Sequence, residues 1–140
     1  MKEIAKLINK SRRPVIYAGH GCTLKRPVFE WFVEEMNIPV MLSWRAIDLL
    51  PEGHPLNAGR PGLYAQPEAN KKMAESDLIL VLGARVEDSL TCFHPNDFCP
   101  NAKKIVVDID KAELDRLPDD YIKVNMDVFD FMRKLREEMG

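Results

Sequence analysis

Residues 74–88 read Ala-Glu-Ser-Asp-Leu-Ile-Leu-Val-Leu-Gly-Ala-Arg-Val-Glu-Asp. Five consecutive aliphatic residues leave no polar position for a wet side, so 77–82 reads as a strand covered on both faces, as in the interior of a parallel sheet. The run stops abruptly at Gly83. A second apolar run, in Val-Val-Asp-Ile-Asp at 106–110, stops at aspartate, and a third, in Arg-Pro-Val-Ile-Tyr-Ala-Gly-His-Gly at 13–21, stops at glycine. An open parallel sheet places its ligand-facing loops at such carboxyl ends.

Outward from these strands the pattern alternates. Ile4, Ala5, Leu7 and Ile8 predict a helix over 2–10, ended by Pro14, because the residue before a proline avoids the helical region. Strand 15–18 follows, then a helix on Val28, Phe29, Phe32, Val33 and Met36, closed by Asn37. A second strand within 38–42 begins at or after Pro39. Residues 43–63 carry Pro51, Gly53, Pro55, Gly59, Pro61 and Gly62 and read as a long irregular connection of the kind that is usually functional. A helix at 67–75 turns Ala69, Met73 and Ala74 to one side. Beyond an irregular loop at 89–102 come strand 104–108, short helix 112–117, strand 121–124 and a final helix at 128–139 facing inward through Val128, Phe131, Met132 and Leu135. Alternating strands and helices predict an α/β fold: a three-layer, Rossmann-like domain with a parallel sheet of five or six strands and helices on both faces.

The chain has 140 residues, enough for one domain with a real core. Its 20 basic and 22 acidic residues leave a net charge of −2, which gives no footprint for a nucleic acid. The longest apolar runs fall far short of the roughly 20 residues that span a bilayer, and no secretory segment follows Met1, so a soluble, cytoplasmic protein is expected. Three cysteines argue against a disulfide framework. Cys92-x-His94-x4-Cys99 lacks a close Cys-x2-Cys pair and a fourth ligand, so no metal site is expected; Cys22, Cys92 and Cys99 read as small, partly buried residues near loops.

The strand ends supply the candidate ligand contacts. Gly19 and Gly21 either let backbone N–H groups approach a pyrophosphate or simply serve a tight turn; Leu24 stands where the third glycine of Gly-x-Gly-x-x-Gly would be. Arg85 emerges beyond its strand, where its planar guanidinium can fork onto a phosphate or pair with a carboxylate such as Glu87 or Asp88 to brace the loop. Asp108 and Asp110 can accept from ribose hydroxyls, while Asp110-Lys-Ala-Glu113 also reads as a helix cap with a capping box. Arg45 and Arg60 lie in the long loop, within reach of phosphates or of subunit neighbours. His20 and His54 occupy turns, where histidine is more often structural than catalytic. No Ser/His/Asp or Cys/His arrangement is present, and no catalytic residue is assigned.

In order and spacing, these pieces, with Ser43-Trp-Arg45 and Gly59-Arg-Pro-Gly62, resemble the central domain of thiamine-diphosphate-dependent enzymes, and most closely that of the acetolactate synthase large subunit. The resemblance covers nearly the whole chain. It implies a three-domain parent whose pyrimidine- and pyrophosphate-binding domains hold thiamine diphosphate and magnesium, and which decarboxylates or condenses 2-oxo acids as a homo-oligomer. The central domain supplies no catalytic residue in this family; it holds FAD in acetolactate synthases, ADP in some relatives, and nothing in others. By resemblance, Gly19, His20, Gly21, Ser43, Trp44, Gly59, Gly62, Gly83, Arg85, Asp108 and Asp110 fall on the nucleotide-contact loops. The chain departs from the acetolactate synthase pattern at Val86-Glu87, where Phe-Asp is usual, and at Met126, where a glycine is usual. It contains no Gly-Asp and no Asn-Asn dipeptide, so the family's thiamine-diphosphate motif is not in it. The expectation is an excised domain or fragment, residues 1–140, without its catalytic neighbours. The alternatives are a ligand-free packing domain, or a stand-alone nucleotide-binding subunit of a redox complex.

Overall fold

A computed structural model describes residues 1–61, 66–86 and 99–140. Five parallel strands form one sheet: β1 (Pro14–Ala18), β2 (Val40–Leu42), β3 (Leu78–Leu82), β4 (Lys103–Asp108) and β5 (Ile122–Asn125), in the order β2-β1-β3-β4-β5. The helices are α1 (Lys2–Lys10), α2 (Arg26–Met36), α3 (Pro67–Glu75), α4 (Lys111–Asp115) and α5 (Val128–Met139). The α/β expectation holds, and the five strands among the described residues fall within the five or six expected.

Side-chain alternation along the strands divides the core in two. Ile16, Ala18, Val40, Leu42, Leu78, Leu80, Leu82, Ile105 and Val107 face the layer of α1, α2 and α5. Val15, Tyr17, Met41, Ile79, Val81 and Val106 face Met73 of α3 and Leu114 of α4. All five residues of β3 are buried, which is why an unbroken aliphatic run was needed there. In α2, Phe29, Phe32 and Val33 point inward, and Asn37 closes the helix in the left-handed conformation at φ 53°, a position asparagine tolerates.

Three details differ from the sequence reading. The inward face of α5 is Phe129, Phe131, Met132 and Leu135; Val128 lies half-buried at the margin. Ala74 is exposed, so α3 is held by Ala69 and Met73 alone. The long connection after β2 is less irregular than its prolines and glycines suggest. Val40 N donates to Leu56 O (2.7 Å), Ala58 N to Val40 O (2.8 Å) and Leu42 N to Gly59 O (2.9 Å), so residues 56–59 run parallel to β2 and cover its edge. Ala46, Leu49 and Leu50 of the same connection are buried in the helix-side core. Asn57 fastens it, donating to Pro51 O (3.0 Å) and accepting from Gly59 N (2.9 Å). His54 Nδ1 accepts from Leu56 N (3.1 Å), a structural histidine.

Asp77 ties the amino-terminal edge of the sheet together. Its carboxylate accepts from the Ser11 hydroxyl, from Arg12 N (2.8 Å) and from Arg13 N (3.1 Å), and its carbonyl accepts from Lys103 N (2.9 Å). Burial alone would raise its pKa, but the bonds from Ser11 and the two N–H groups outweigh it and hold the carboxyl below its usual 3.8. A carboxyl depressed in the folded state stabilises above its unfolded pKa and loses that contribution as pH falls through the folded value. Asp77→Asn is therefore expected to lose about 1–2 kcal/mol at neutral pH, with the gap to the parent chain closing below about pH 3.8. Urea titrations across pH check this; a gap that does not change with pH would contradict it.

Candidate functional site at the carboxyl edge

In this strand order the connection after β1 runs to β2 on one side and the connection after β3 runs to β4 on the other, so the switch-point crevice lies beyond the ends of β1 and β3. The loops there are packed against each other. Gly19 N donates to Leu82 O (2.9 Å) and Gly21 N to Gly83 O (3.0 Å). Gly19 has an extended backbone (φ −115°), so its requirement is space alone: a Cβ there would sit 2.5 Å from Gly83 O. Gly83 adopts φ +61°, and its Cβ would lie 3.0 Å from Cys22 N. The glycines at 19, 21 and 83 thus serve the approach of one backbone to another. The N–H groups of Gly19 and Gly21, one of the two sequence-based options for holding a pyrophosphate, are engaged within the protein.

Between Gly19 and α2 the chain makes a 3-10 helical turn, His20–Lys25, rather than a simple turn. It buries Cys22 completely, with Sγ donating to Leu82 O (3.3 Å); burial pushes this thiol up to about 12, against a smaller opposing effect of a backbone hydrogen bond at Gly19. Cys99 is also buried, and burial raises it to about 11 despite Lys104 nearby. Both are more deeply enclosed than the sequence suggested, and both are held as unreactive thiols.

At the next strand end, Asp110 caps α4, accepting from Ala112 N (3.0 Å), and Asp108 Oδ1 accepts from Asp110 N (2.8 Å). The cap is made but the box is not: Glu113 turns to Arg116 (2.7 Å) and to Arg85 (3.8 Å) instead of returning to the Asp110 N–H. Each aspartate thus spends its Oδ1 on a backbone N–H of this turn, and Asp108 is the one that ends β4 at the strand edge. Arg85 is 64% exposed at the side chain; its described carboxylate partner is Glu113 of α4, a long and weak contact that leaves the guanidinium accessible.

Beyond β2, Ser43 N donates to Ala18 O (3.0 Å), and Trp44, 57% exposed, begins a second 3-10 turn, Trp44–Ala46. Arg60 stacks on that ring with its guanidinium carbon 4.5 Å from the centroid. Gly59, at φ +92°, lets the chain turn so that Arg60 N meets Gln66 Oε1 (2.9 Å). Two buried side-chain polar atoms have no hydrogen-bond partner among the described residues, Ser43 Oγ and Arg60 Nε. The sequence flagged Arg60 as a candidate for phosphates but could not place it against Trp44, sixteen positions earlier. Gly62, Glu87, Asp88, Cys92 and His94 lie outside the described residues. His20 is exposed at the rim.

The strand ends of β2, β1, β3 and β4 thus line up Ser43 and Arg60, the glycine loop, Arg85, and Asp108 over three inter-strand steps, about 14 Å. Guanidinium and hydroxyl donors at one end suit phosphate, and a carboxylate acceptor at the other suits a ribose. A separate groove between α2 and α5, lined by Pro27, Val28, Trp31, Glu35, Arg133 and Arg136, belongs to the helical layer. No helix among the described residues is long and apolar enough to cross a membrane.

The family profile described as "Thiamine pyrophosphate enzyme, central domain" matches residues 1–135. The acetolactate synthase isozyme 1 large subunit of Escherichia coli K12 is 35% identical over 135 residues, 96% of this chain and 24% of that protein. The probable acetolactate synthase large subunit of Methanococcus aeolicus is 36% identical over 130 residues, 91% of this chain and 20% of that protein. The acetolactate synthase large subunit of Corynebacterium glutamicum is 31% identical over 140 residues, 98% of this chain and 22% of that protein. The chain therefore spans less than a quarter of the length of these curated relatives.

Proposed function

Because this chain belongs to the family of thiamine pyrophosphate enzyme central domains, we propose that it is the scaffolding and nucleotide-binding domain of an acetolactate synthase-like enzyme. An adenine nucleotide, FAD or ADP, lies across the carboxyl edge, with its phosphates toward the arginines and a ribose toward Asp108. Thiamine diphosphate and magnesium belong to neighbouring domains of the parent subunit, which forms a homo-oligomer and decarboxylates or condenses 2-oxo acids. The described residues contain no group of three His, Cys, Asp or Glu able to hold a metal ion, and the Gly-Asp and Asn-Asn dipeptides are not in the sequence. These residues do not fit thiamine diphosphate, and no thiamine step is assigned to them.

The observation carrying the nucleotide reading is the unsatisfied donor set, Ser43 Oγ and Arg60 Nε, beside an exposed aromatic ring at the carboxyl edge. Buried polar atoms in native proteins nearly always have partners, and a ligand phosphate supplies the missing acceptors. The mutual packing of the glycine loops favours the competing reading, a packing domain without ligand. Mass spectrometry of small molecules released from the denatured chain after soaking in FAD or ADP separates the two. Retained nucleotide is expected, with retention falling roughly tenfold in Arg85→Ala. If this chain retains neither, the full-length subunit decides: nucleotide retained there means that neighbouring domains complete the pocket, and none retained there means a packing domain.

A further inference from the structure

We propose that Arg60 and Ser43 form the station that receives the ligand's phosphate, in place of the glycine loop after β1. The assignment rests on the nucleotide reading above and locates its charged end.

Three observations lead to it. First, the N–H groups of Gly19 and Gly21 are spent on Leu82 O and Gly83 O, so they cannot also donate well to an anion. Second, the unspent donors lie one strand away. Pairing of Val40 with Asn57, and the bond from Leu42 N to Gly59 O, bring Arg60 to the carboxyl end of β2, which Ser43 follows. Ser43 Oγ and Arg60 Nε are both buried and without a partner. Third, Arg60 is already positioned. Its backbone is clamped on both sides by Gln66, with Arg60 N on Gln66 Oε1 (2.9 Å) and Gln66 N on Arg60 O (3.0 Å). Its guanidinium carbon stands over the Trp44 ring, 4.5 Å from the centroid. Among the described residues no carboxylate pairs with Arg60; Asp48, in the same connection, is taken by Arg26 (3.0 Å).

A guanidinium ordered in advance loses little freedom on binding, and its planar donors match a phosphate edge. Ser43 adds a hydroxyl donor on the same strand end. The set has donors and no acidic acceptor, so it selects an oxyanion and rejects a neutral nucleoside. Trp44 reports on occupancy, because its ring touches the binding guanidinium.

The chain has two tryptophans, so Trp31→Phe leaves Trp44 as the sole indole fluorophore. In that background, titrations with ADP, adenosine and inorganic pyrophosphate are compared for the parent, Arg60→Met, Arg60→Lys and Ser43→Ala. ADP affinity is expected to fall about ten- to a hundredfold in Arg60→Met and less in Arg60→Lys and Ser43→Ala. Adenosine affinity should not change in any variant. Should Arg60→Met not fold, judged by circular dichroism, Ser43→Ala and Arg60→Lys carry the test. ADP binding that is indifferent to all three variants overturns the station while leaving the nucleotide reading intact. Pyrophosphate bound in an Arg60-dependent way without any adenine nucleotide keeps the oxyanion station and removes the nucleotide reading. Neither compound binding removes both.

Discussion

Gly19→Ala is expected to melt about 6–12 °C below the parent chain. The expectation follows from where the new methyl group would go. An ideal Cβ at Gly19 lies 2.5 Å from both the Ala84 Cα and the Gly83 carbonyl oxygen, and it also overlaps the Ala84 methyl. Two of these neighbours are main-chain atoms, which cannot move aside by changing a rotamer. The backbone itself is undemanding, since φ −115° suits any residue. The cost is therefore steric, and relief requires the β1 and β3 loops to part. Parting them breaks the bonds from Gly19 N to Leu82 O and from Gly21 N to Gly83 O. Overpacking costs typically 1–3 kcal/mol, and two strained main-chain bonds put this site at the upper end, about 3 kcal/mol. For a chain near this size each kcal/mol moves the midpoint by about 2–4 °C. Gly53→Ala is the control, with open space around its Cβ. Thermal unfolding by circular dichroism reads both. Equal midpoints for Gly19→Ala and Gly53→Ala would mean that the two loops do not pack as closely as described.

That contact also shows where sequence reasoning reached and where it stopped. Gly-His-Gly at a strand end announces a close approach, but glycine does not say to what. A ligand phosphate and a neighbouring carbonyl ask the same thing of the residue, the absence of a Cβ. The fold was legible because a parallel sheet buries both faces of its strands, which imposes long aliphatic runs such as 78–82 that few other structures require. Pairing at 56–59 was not legible: a short segment containing Asn57 and Gly59 has no periodicity, and its neighbours Pro51, Gly53 and Pro55 all signal turns. The cap at Asp110 was readable because it is local. Glu113 was misread because two arginines compete for it, and one of them, Arg85, comes from another strand end. Arg60 against Trp44 is likewise a product of the tertiary path, invisible to spacing.

Phe131→Ala is expected to cost about 3–5 kcal/mol, the usual range for removing a buried aromatic side chain. Phe131 is fully buried in the helix-side core, on the face of α5 that includes Met132 and Leu135. That helix touches α1, α2, the 3-10 turn after β1, and β4, so the void left by the ring would be walled by several elements that cannot all collapse onto it. Against a total stability of about 5–15 kcal/mol, the loss is about a fifth or more, and the variant should unfold at a lower urea concentration. Phe131→Leu retains most of the volume and should cost less than about 1.5 kcal/mol. Urea titration at constant slope reads the difference, because a shift of midpoint without a change of slope reports stability rather than a changed denatured state. Phe131 sits on the helical layer, away from the arginines of the carboxyl edge, so the folded fraction of Phe131→Ala should bind ligand with the parent's affinity. Gly19→Ala, by contrast, disturbs the edge itself. A Phe131→Ala variant that loses ligand affinity while fully folded would show the helical layer governing the site, a coupling that the separation of the two cores by the sheet argues against.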